Sequence, residues 1–200
     1  MKSKILVIDC TAEKLHFLEF VQPILDAIQK SNTNKSKKTA LDCSVVHYSK
    51  LTEKQALNAD AIILTGTSLA DNTHLQHIAK FGFLKNYQKP VLGICAGMQI
   101  IAKVFGAEIE KRKSTEIGNI KIKISKDDLL FAGLENGFAA YALHNNSTTL
   151  PKNFELLASS SLCKVQAFRH KSKPIYGVEF HPEVGSKKVL RNWLEIVLKN

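Results

Sequence analysis

Short apolar runs in the first half of the chain are separated by segments with helical periodicity. Ile5–Ile8 is apolar at every position, which is typical of a strand buried on both faces of a sheet. Further strands are predicted at Cys43–Tyr48, Ala61–Thr65 and Val91–Ile94. These four segments are the candidate strands of a buried sheet.

Helical spacing occurs between these strands. An amphipathic helix is predicted from apolar residues three and four positions apart, namely Leu15, Leu18, Val21, Leu25 and Ile28. Pro23 is expected to kink that helix or to start its second half. Two further helices are predicted at Thr73–Tyr87 and Ala96–Phe105, and an exposed loop at Ser31–Thr39. Because strands and helices alternate, the pattern favours an α/β fold with an open, mostly parallel twisted sheet and helices on both faces.

The pattern changes after Gly106. Asn119–Ser125 alternates between apolar and polar residues, as a half-exposed strand does. More strands are predicted at Phe154–Ala158, Lys164–His170 and Ile175–Phe180, followed by a closing helix at Ser186–Lys199. The sequence contains no internal repeat and no linker-like stretch. A single domain covering residues 1–200 is therefore expected.

Basic residues outnumber acidic residues by 28 to 18, which gives a formal net charge of +10. Such an excess raises the question of a nucleic-acid partner. However, only three of the basic residues are arginines, and recognition of bases and phosphates depends strongly on arginine. The lysines are dispersed apart from modest clusters at Lys35–Lys38 and Lys111–Lys113, which is typical of a solvated surface. We therefore expect no nucleic-acid partner.

Membrane and secreted classes are not indicated either. No window of about 18 apolar residues suggests a transmembrane helix. The apolar run Ile5–Ile8 is too short for the core of a signal peptide, and it ends at Asp9. The four cysteines are scattered and form no C-x-x-C pair, which argues against a disulfide framework or a zinc site. Reduced thiols in a cytoplasmic protein are expected.

The segment Gly93-Ile94-Cys95-Ala96-Gly97 has the form G-x-nucleophile-x-G, between a predicted strand and a predicted helix. On such a turn the nucleophile stands at the carboxyl edge of the sheet, where ligands bind in open α/β folds. The helix N-terminus favours a thiolate and directs N–H groups towards an oxyanion. The alternative is a buried structural cysteine. Gln99 favours a site, because it lies one helical turn after Cys95 on the same face.

A second cluster of candidate chemistry follows the strand-like run that begins at Ile175. Pro182 favours an extended conformation at His181, so His181 and Glu183 are expected to project to the same side. A carboxylate bound to one imidazole nitrogen fixes the tautomer and leaves the other nitrogen for a thiol. The alternative is an ordinary surface turn formed by His-Pro-Glu.

His74 and His77 have the i, i+3 spacing of two ligands on one helix face. No carboxylate ligand is placed nearby in the sequence, so a solvated helix face is expected there. No metal site is predicted.

Cys95 with Gln99 in the segment GICAGMQ, followed far downstream by His181-Pro182-Glu183, resembles the class I (triad) glutamine amidotransferases. The resemblance covers almost the whole chain. Within that family, the stretches GMQIIAKVFGAEI, LHNNSTTLPKNFELLASS and KPIYGVEFHPEV are most similar to the stand-alone glutaminase subunits of archaeal GMP synthases. The resemblance implies a flavodoxin-like fold. It also implies hydrolysis of L-glutamine to glutamate and ammonia, without a cofactor.

The resemblance also implies roles for individual residues. Cys95 would be the nucleophile, His181 the base and Glu183 the residue that orients the base. Backbone N–H groups near Gly66 and Ala96 would hold the oxyanion. The remaining matches to positions that contact glutamine are Gln99, His144 and Asn145. The ammonia would pass to a separate ATP-dependent synthetase chain of the ATP-pyrophosphatase type, which would use it to convert XMP to GMP. A chain of 200 residues leaves no room for such a synthetase domain.

The chain departs from the family pattern at three places. Ala96 replaces the usual larger residue after the nucleophile, which should leave the oxyanion N–H intact and widen the pocket. Family members usually carry a Gly-Gly-Pro run where this chain has Thr65-Gly66-Thr67-Ser68. Asn146 stands where the GMP synthase branch usually has an aspartate. Two other functions are therefore considered, namely hydrolysis of larger γ-glutamyl amides and a binding or regulatory module that has kept the fold.

Overall fold

The computed structural model describes residues 3–33, 40–69 and 71–199. In chain order, strands β1 to β9 span Ser3–Asp9, Leu41–His47, Ala61–Leu64, Val91–Ile94, Ile109–Ile124, Phe138–Thr148, Phe154–Ser159, Ala167–His170 and Ile175–Val178. Helices α1 to α5 span Phe17–Phe20, Gln22–Thr33, Glu53–Leu57, Ala96–Val104 and Lys187–Lys199. Segments of 3₁₀ helix lie at Lys14–His16, Tyr48–Lys50, Thr73–Lys85 and Leu129–Phe131.

The described strands form one sheet in the order β2-β1-β3-β4-β9-β8-β7-β5-β6. The strands β2, β1, β3, β4 and β9 are joined in parallel. The remaining strands extend the sheet in antiparallel fashion. The predicted fold class is confirmed, and the change of pattern after Gly106 marks the start of the antiparallel part.

The register of the parallel strands brings two distant segments of the chain to one point. Ile94 at the end of β4 pairs with Val178 at the end of β9. The next residue along the chain, Cys95, donates its N–H to the carbonyl of Val178 at 2.8 Å. The segments that follow these two strands therefore meet at the carboxyl edge of the sheet, where α/β folds bind their ligands.

Helices cover both faces of the sheet. Along β1 the side chains alternate, so Ile5 and Val7 pack on one face, and Leu6 and Ile8 on the other. The first face is covered by α2 and α5, whose Trp193 is fully buried. The second is covered by α4 and the Thr73–Lys85 segment. Burial of each large apolar side chain contributes roughly 1.5–3 kcal/mol to folding.

The predicted helix through Leu15 to Ile28 is wrong in its first half. The chain forms a 3₁₀ turn and α1, and then starts again as α2, which carries Pro23 in its first turn. Leu15 and Leu18 are 71% and 66% exposed, because the break at Val21 turns them away from the core. Pro23 starts the second half, as predicted, since a proline in a first turn loses no hydrogen bond.

Other differences concern lengths and helix type. Thr73–Lys85 is helical but of the 3₁₀ type, with a kink at His77. β5 begins ten residues before the predicted start, at Ile109, and β6 has no counterpart among the predicted strands. Residues 31–33 of the predicted loop belong to α2, and residues 34–39 lie outside the described part of the chain. Among the described residues, no helix has the length and apolar character that a membrane span needs.

We predict that Gly97→Ala destabilises the fold by about 1–3 kcal/mol, the usual range for overpacking. A methyl group at Gly97 would lie 2.3 Å from the carbonyl oxygen of Leu64, so α4 would have to move away from β3. Urea denaturation followed by circular dichroism measures the change. Gly82→Ala is the matched control, since a methyl group there meets no atom within 4 Å. Equal stability of the two variants would contradict the close approach of α4 and β3.

Candidate active site

Cys95 lies on a strained turn between β4 and α4. Its φ and ψ are 47° and −103°, a conformation that a residue with a side chain rarely adopts. The flanking glycines make the turn sterically feasible, because a methyl group at Gly93 would lie 2.5 Å from the backbone of Gly97. Strain of this kind costs about 1–3 kcal/mol and is typical of functional sites. The predicted strand–turn–helix is therefore present, with the nucleophile candidate at its apex.

The Cys95 thiol is buried, and its sulfur lies 3.9 Å from the carbonyl oxygen of Leu143. Burial raises the pKa of the thiol well above its ordinary value, and the charges of Glu179 and Glu183 raise it further. The backbone N–H groups of Ala96 and Thr67 act on the sulfur in the opposite direction. The expectation that the helix N-terminus favours a thiolate is thus outweighed by desolvation. The resting thiol keeps its proton, and a base must remove it during the reaction.

The base candidate is paired with a carboxylate as the sequence predicted. Nδ1 of His181 lies 2.8 Å from Oε1 of Glu183, and both side chains are buried. The backbone N–H of His181 donates to the carbonyl of Tyr141 at 2.7 Å, and its ring packs 5.3 Å from that of Phe20. Within the described residues, Nε2 of His181 has no hydrogen-bond partner. This nitrogen is therefore the one available for proton transfer.

One loop touches both the nucleophile and the base. A methyl group at Gly66 would lie 2.5 Å from Cε1 of His181, so the imidazole packs directly on the glycine backbone. The next residue, Thr67, directs its N–H towards the sulfur of Cys95. The two N–H groups that face the sulfur thus belong to Ala96 and to Thr67, the residue after Gly66. Gly66 itself provides the clearance for the imidazole.

The sulfur of Cys95 lines a narrow cleft. The residues around the cleft are Thr67, Ser68, Leu69, Asp71, Asn72, His74, Cys95, Ala96, Gln99, Leu143, His144, Asn145 and Asn146. Its volume is about 20 Å³, enough for roughly one water molecule, so its walls must move apart to admit an amino acid. A larger cavity of about 480 Å³ lies between α2 and α5 and is lined in part by Glu183, but Cys95 does not line it. The candidate nucleophile therefore faces the narrow cleft.

The three predicted substrate contacts all line this cleft, but they differ in burial and in the hydrogen bonds that they already form within the protein. Gln99 is buried and donates from Nε2 to Oε1 of Glu179 at 2.7 Å. Asn145 is half-buried on β6. His144 is buried, with Nδ1 2.8 Å from the carbonyl oxygen of Asn146 and Nε2 3.1 Å from Oε2 of Glu116. Both nitrogens of His144 are therefore used within the protein.

A buried polar cluster that the sequence did not indicate surrounds His144. Glu116 on β5 accepts hydrogen bonds from Ser160 at 2.7 Å and from Gln166 at 2.8 Å. Burial alone would lower the pKa of His144, but the hydrogen bond to Glu116 and the charge of Glu179 outweigh it, so its pKa is raised. The raised pKa favours the protonated form of His144, which lies between these two carboxylates. His144 forms one wall of the cleft.

The expected solvated face at His74 is wrong. His74 is 1% exposed and lines the cleft next to Gln99, because the 3₁₀ segment directs it inwards. Burial lowers the pKa of His74 to about 4, although the charge of Asp71 and the polar side chain of Gln99 oppose the shift. His74 is therefore a neutral side chain in the cleft at neutral pH. Among the described residues, no group of three potential ligands could hold a metal ion.

We predict that His74 makes the protein sensitive to mild acid. Its folded-state pKa of about 4 lies below the ordinary 6.5, so its contribution to stability is complete above pH 6.5 and is lost as the pH falls towards 4. At pH 5 the loss is about 2 kcal/mol. Urea denaturation measures the free energy of unfolding at pH 7 and at pH 5. The difference between the two values should be smaller for His74→Gln than for the native protein. His77→Gln, on the same segment, is the control and should keep the native difference; a native difference in His74→Gln would contradict the burial of His74.

Comparison with known proteins relates this chain to a family. The family model for glutamine amidotransferase class-I matches residues 23–198. The chain is 36% identical to a protein of Archaeoglobus fulgidus named as a subunit of glutamine-hydrolyzing GMP synthase, over 73% of this chain and 80% of that protein. It is 37% identical to the protein of the same name from Methanococcus maripaludis, over 78% of this chain and 80% of that protein.

Solved structures agree with these sequence matches. A crystal structure from Thermoplasma acidophilum, described as a GMP synthase subunit, superposes with a TM-score of 0.84 at 28% identity and covers 100% of this chain and 96% of the other. A glutamine amidotransferase from Thermotoga maritima shares the fold, with a TM-score of 0.72 at 20% identity over 98% of this chain and 82% of the other. The chain belongs to the class I glutamine amidotransferases.

Proposed function

We propose that the chain is a glutaminase subunit that hydrolyses L-glutamine to glutamate and ammonia through Cys95, His181 and Glu183. One observation carries this proposal. A buried thiol on a strained turn is faced by two backbone N–H groups, and the loop that supplies one of them also packs on a carboxylate-bound imidazole. Such an arrangement suits attack on an amide carbonyl, and the family is defined by glutamine chemistry.

In the first step, the Cys95 sulfur attacks the side-chain carbonyl carbon of glutamine. The thiol proton moves to Nε2 of His181, while Glu183 holds Nδ1 and stabilises the imidazolium. Because the pKa of the buried thiol is raised, its deprotonation accompanies the attack and does not precede it. The oxygen of the tetrahedral intermediate becomes negative, and the N–H groups of Ala96 and Thr67 donate hydrogen bonds to it.

In the second step, the carbon–nitrogen bond breaks. His181 returns the proton to the departing nitrogen, which leaves as ammonia, and a γ-glutamyl thioester remains on Cys95. Water then attacks this thioester, with His181 again taking a proton. Breakage of the carbon–sulfur bond releases glutamate and restores the thiol.

The remaining cleft residues would bind the substrate. Asn145 and Gln99 supply amide groups for the polar ends of glutamine. His144 lies in the wall of the cleft beside Asn145, and the family resemblance assigns it a contact with glutamine. Gly66 acts indirectly by leaving space for the imidazole of His181. No cofactor takes part in these steps.

We infer that the ammonia is used by a separate synthetase chain. The relatives from A. fulgidus and M. maripaludis are each named as one subunit of a GMP synthase, which supports a partner chain. The partner would be an ATP-dependent synthetase of the ATP-pyrophosphatase type that converts XMP to GMP, with both proteins in the cytoplasm. Enclosure of the thiol in a narrow cleft suits transfer of ammonia between the two proteins.

We predict that Cys95→Ala lowers glutamate release from glutamine at least about a thousand-fold, since it removes the nucleophile. With the synthetase chain present, product formation from added ammonium should persist, while product formation from glutamine should stop. Coupled assays of glutamate and of the aminated product measure both.

Cys43→Ala is the control for this prediction, because Cys43 is an exposed cysteine far from the cleft in the fold. It should behave as the native protein. Continued glutamate release by Cys95→Ala would contradict the mechanism. Rapid hydrolysis of larger γ-glutamyl amides with poor use of glutamine would contradict the assigned substrate.

A further inference from the structure

We propose that Asp71 is a positioning residue that holds Thr67 so that the Thr67 N–H faces the reacting centre at Cys95. The proposal rests on the glutaminase function proposed above. It assigns a role in catalysis to a side chain that belongs neither to the Cys-His-Glu triad nor to the predicted substrate contacts.

The carboxylate of Asp71 joins three parts of the chain. Its Oδ2 accepts a hydrogen bond from the hydroxyl of Thr67 at 2.5 Å and from the N–H of Ala12 at 3.0 Å. Its Oδ1 accepts from the hydroxyl of Thr73 at 2.6 Å and from the N–H of Thr73 at 3.0 Å. Both oxygens are thus bound by two donors each, which fixes the orientation of the carboxylate.

The charge state of Asp71 suits this role. Burial alone would raise the pKa of its carboxyl group, but the hydrogen bonds from Thr67 and Thr73 outweigh burial and lower the pKa below its ordinary value. Asp71 is therefore ionised at neutral pH and only accepts hydrogen bonds. Bonds to an ionised acceptor are shorter and stronger than bonds between neutral groups, in agreement with the 2.5 Å contact to Thr67.

The loop after β3 needs a side-chain hydrogen bond next to Gly66 to hold it in place; the hydrogen bond from Thr67 to Asp71 is called the tether here. Gly66 must lack a side chain, since the imidazole of His181 packs against it, so it cannot anchor the loop itself. On one side of Gly66 the loop is already held: the hydroxyl of Thr65 accepts from the N–H of Cys10 at 2.9 Å, and the carbonyl of Thr65 accepts from Gly97 at 3.1 Å. On the other side, Thr67 is held through its hydroxyl by Asp71.

A Gly-Gly-Pro run, which family members usually carry here, has no hydroxyl for such a tether. In this chain the threonine that supplies the N–H also supplies the hydroxyl that Asp71 binds. The two groups are on one residue, so a change in the hydroxyl contact alters the direction of the N–H. The direction of the N–H affects the stabilisation of the transition state more than the binding of the substrate, because negative charge on the oxygen develops only during attack.

Thr67→Val, which keeps the shape of the side chain and removes the hydroxyl, is the principal test. We expect kcat for glutamine hydrolysis to fall about 10- to 100-fold, with KM within about twofold, because only a transition-state contact is misaligned. Asp71→Asn should lower kcat in the same direction. Thr67→Ser restores the hydroxyl and should recover most of the lost rate.

Thr52→Val is the control for stability. The hydroxyl of Thr52 donates to Oε1 of Gln55 at 2.9 Å and accepts from the N–H of Gln55 at 3.3 Å, so its loss removes the N-cap of α3, which contacts neither Asp71 nor the cleft. We expect Thr52→Val to lower the urea midpoint about as much as Thr67→Val while kcat stays near the native value.

Three results would overturn the role of Asp71: a native kcat in Thr67→Val, a kcat in Thr67→Ser as low as in Thr67→Val, or an equal loss of kcat in Thr52→Val. Failure of the glutaminase proposal is distinguishable from these, because it appears in Cys95→Ala. If Cys95→Ala stops hydrolysis and Thr67→Val does not slow it, the triad stands and the tether is refuted.

Discussion

The strained backbone of Cys95 is the constraint on which the site depends. With φ at 47°, the residue stands on a turn that closes only because Gly93 and Gly97 have no side chains. The turn is held on both sides, by the bond from Cys95 N–H to Val178 and by the bond from Gly97 N–H to Thr65. The strained conformation costs about 1–3 kcal/mol of folding free energy, and it persists because β4 is fixed between β3 and β9.

This turn explains why the other functional groups come from distant segments. β9 pairs with β4, so the residues after β9 bring His181 and Glu183 to the thiol. β3 lies on the other side of β4, so the loop after β3 brings Gly66 and Thr67. Burial raises the pKa of the thiol, so the proposed mechanism joins its deprotonation to the attack on the substrate. In the proposed mechanism the parallel sheet thus places the nucleophile, the base and the N–H donors at one edge, and the N-terminus of α4 supplies one of these donors through Ala96.

The sequence predicted the parts of this structure that depend on local pattern. The parallel strands are short apolar runs, and the turn at Cys95 and the pair His181–Glu183 follow from spacing. It did not predict β6, because residues 138–143 are apolar without alternation and residues 144–148 are polar, although the Asn136-Gly137 turn signal stands directly before them. The prediction for His74 is wrong because the 3₁₀ geometry changes which side of the segment is buried. Contacts between loops far apart in sequence, such as that of Ala12 with Asp71, leave no local signature.

The most direct test of the glutaminase assignment is the intact mass of the protein after exposure to a diazo-ketone analogue of glutamine, with and without excess glutamine. The electrophile combines recognition of glutamine with reactivity towards an active thiol. We expect a single adduct, mapped to Cys95 by peptide digestion and prevented by glutamine. The exposed Cys43 serves as the internal control for non-specific alkylation. Modification of Cys43 in place of Cys95, or modification of Cys95 that glutamine does not slow, would contradict a glutamine-binding cleft with a catalytic thiol.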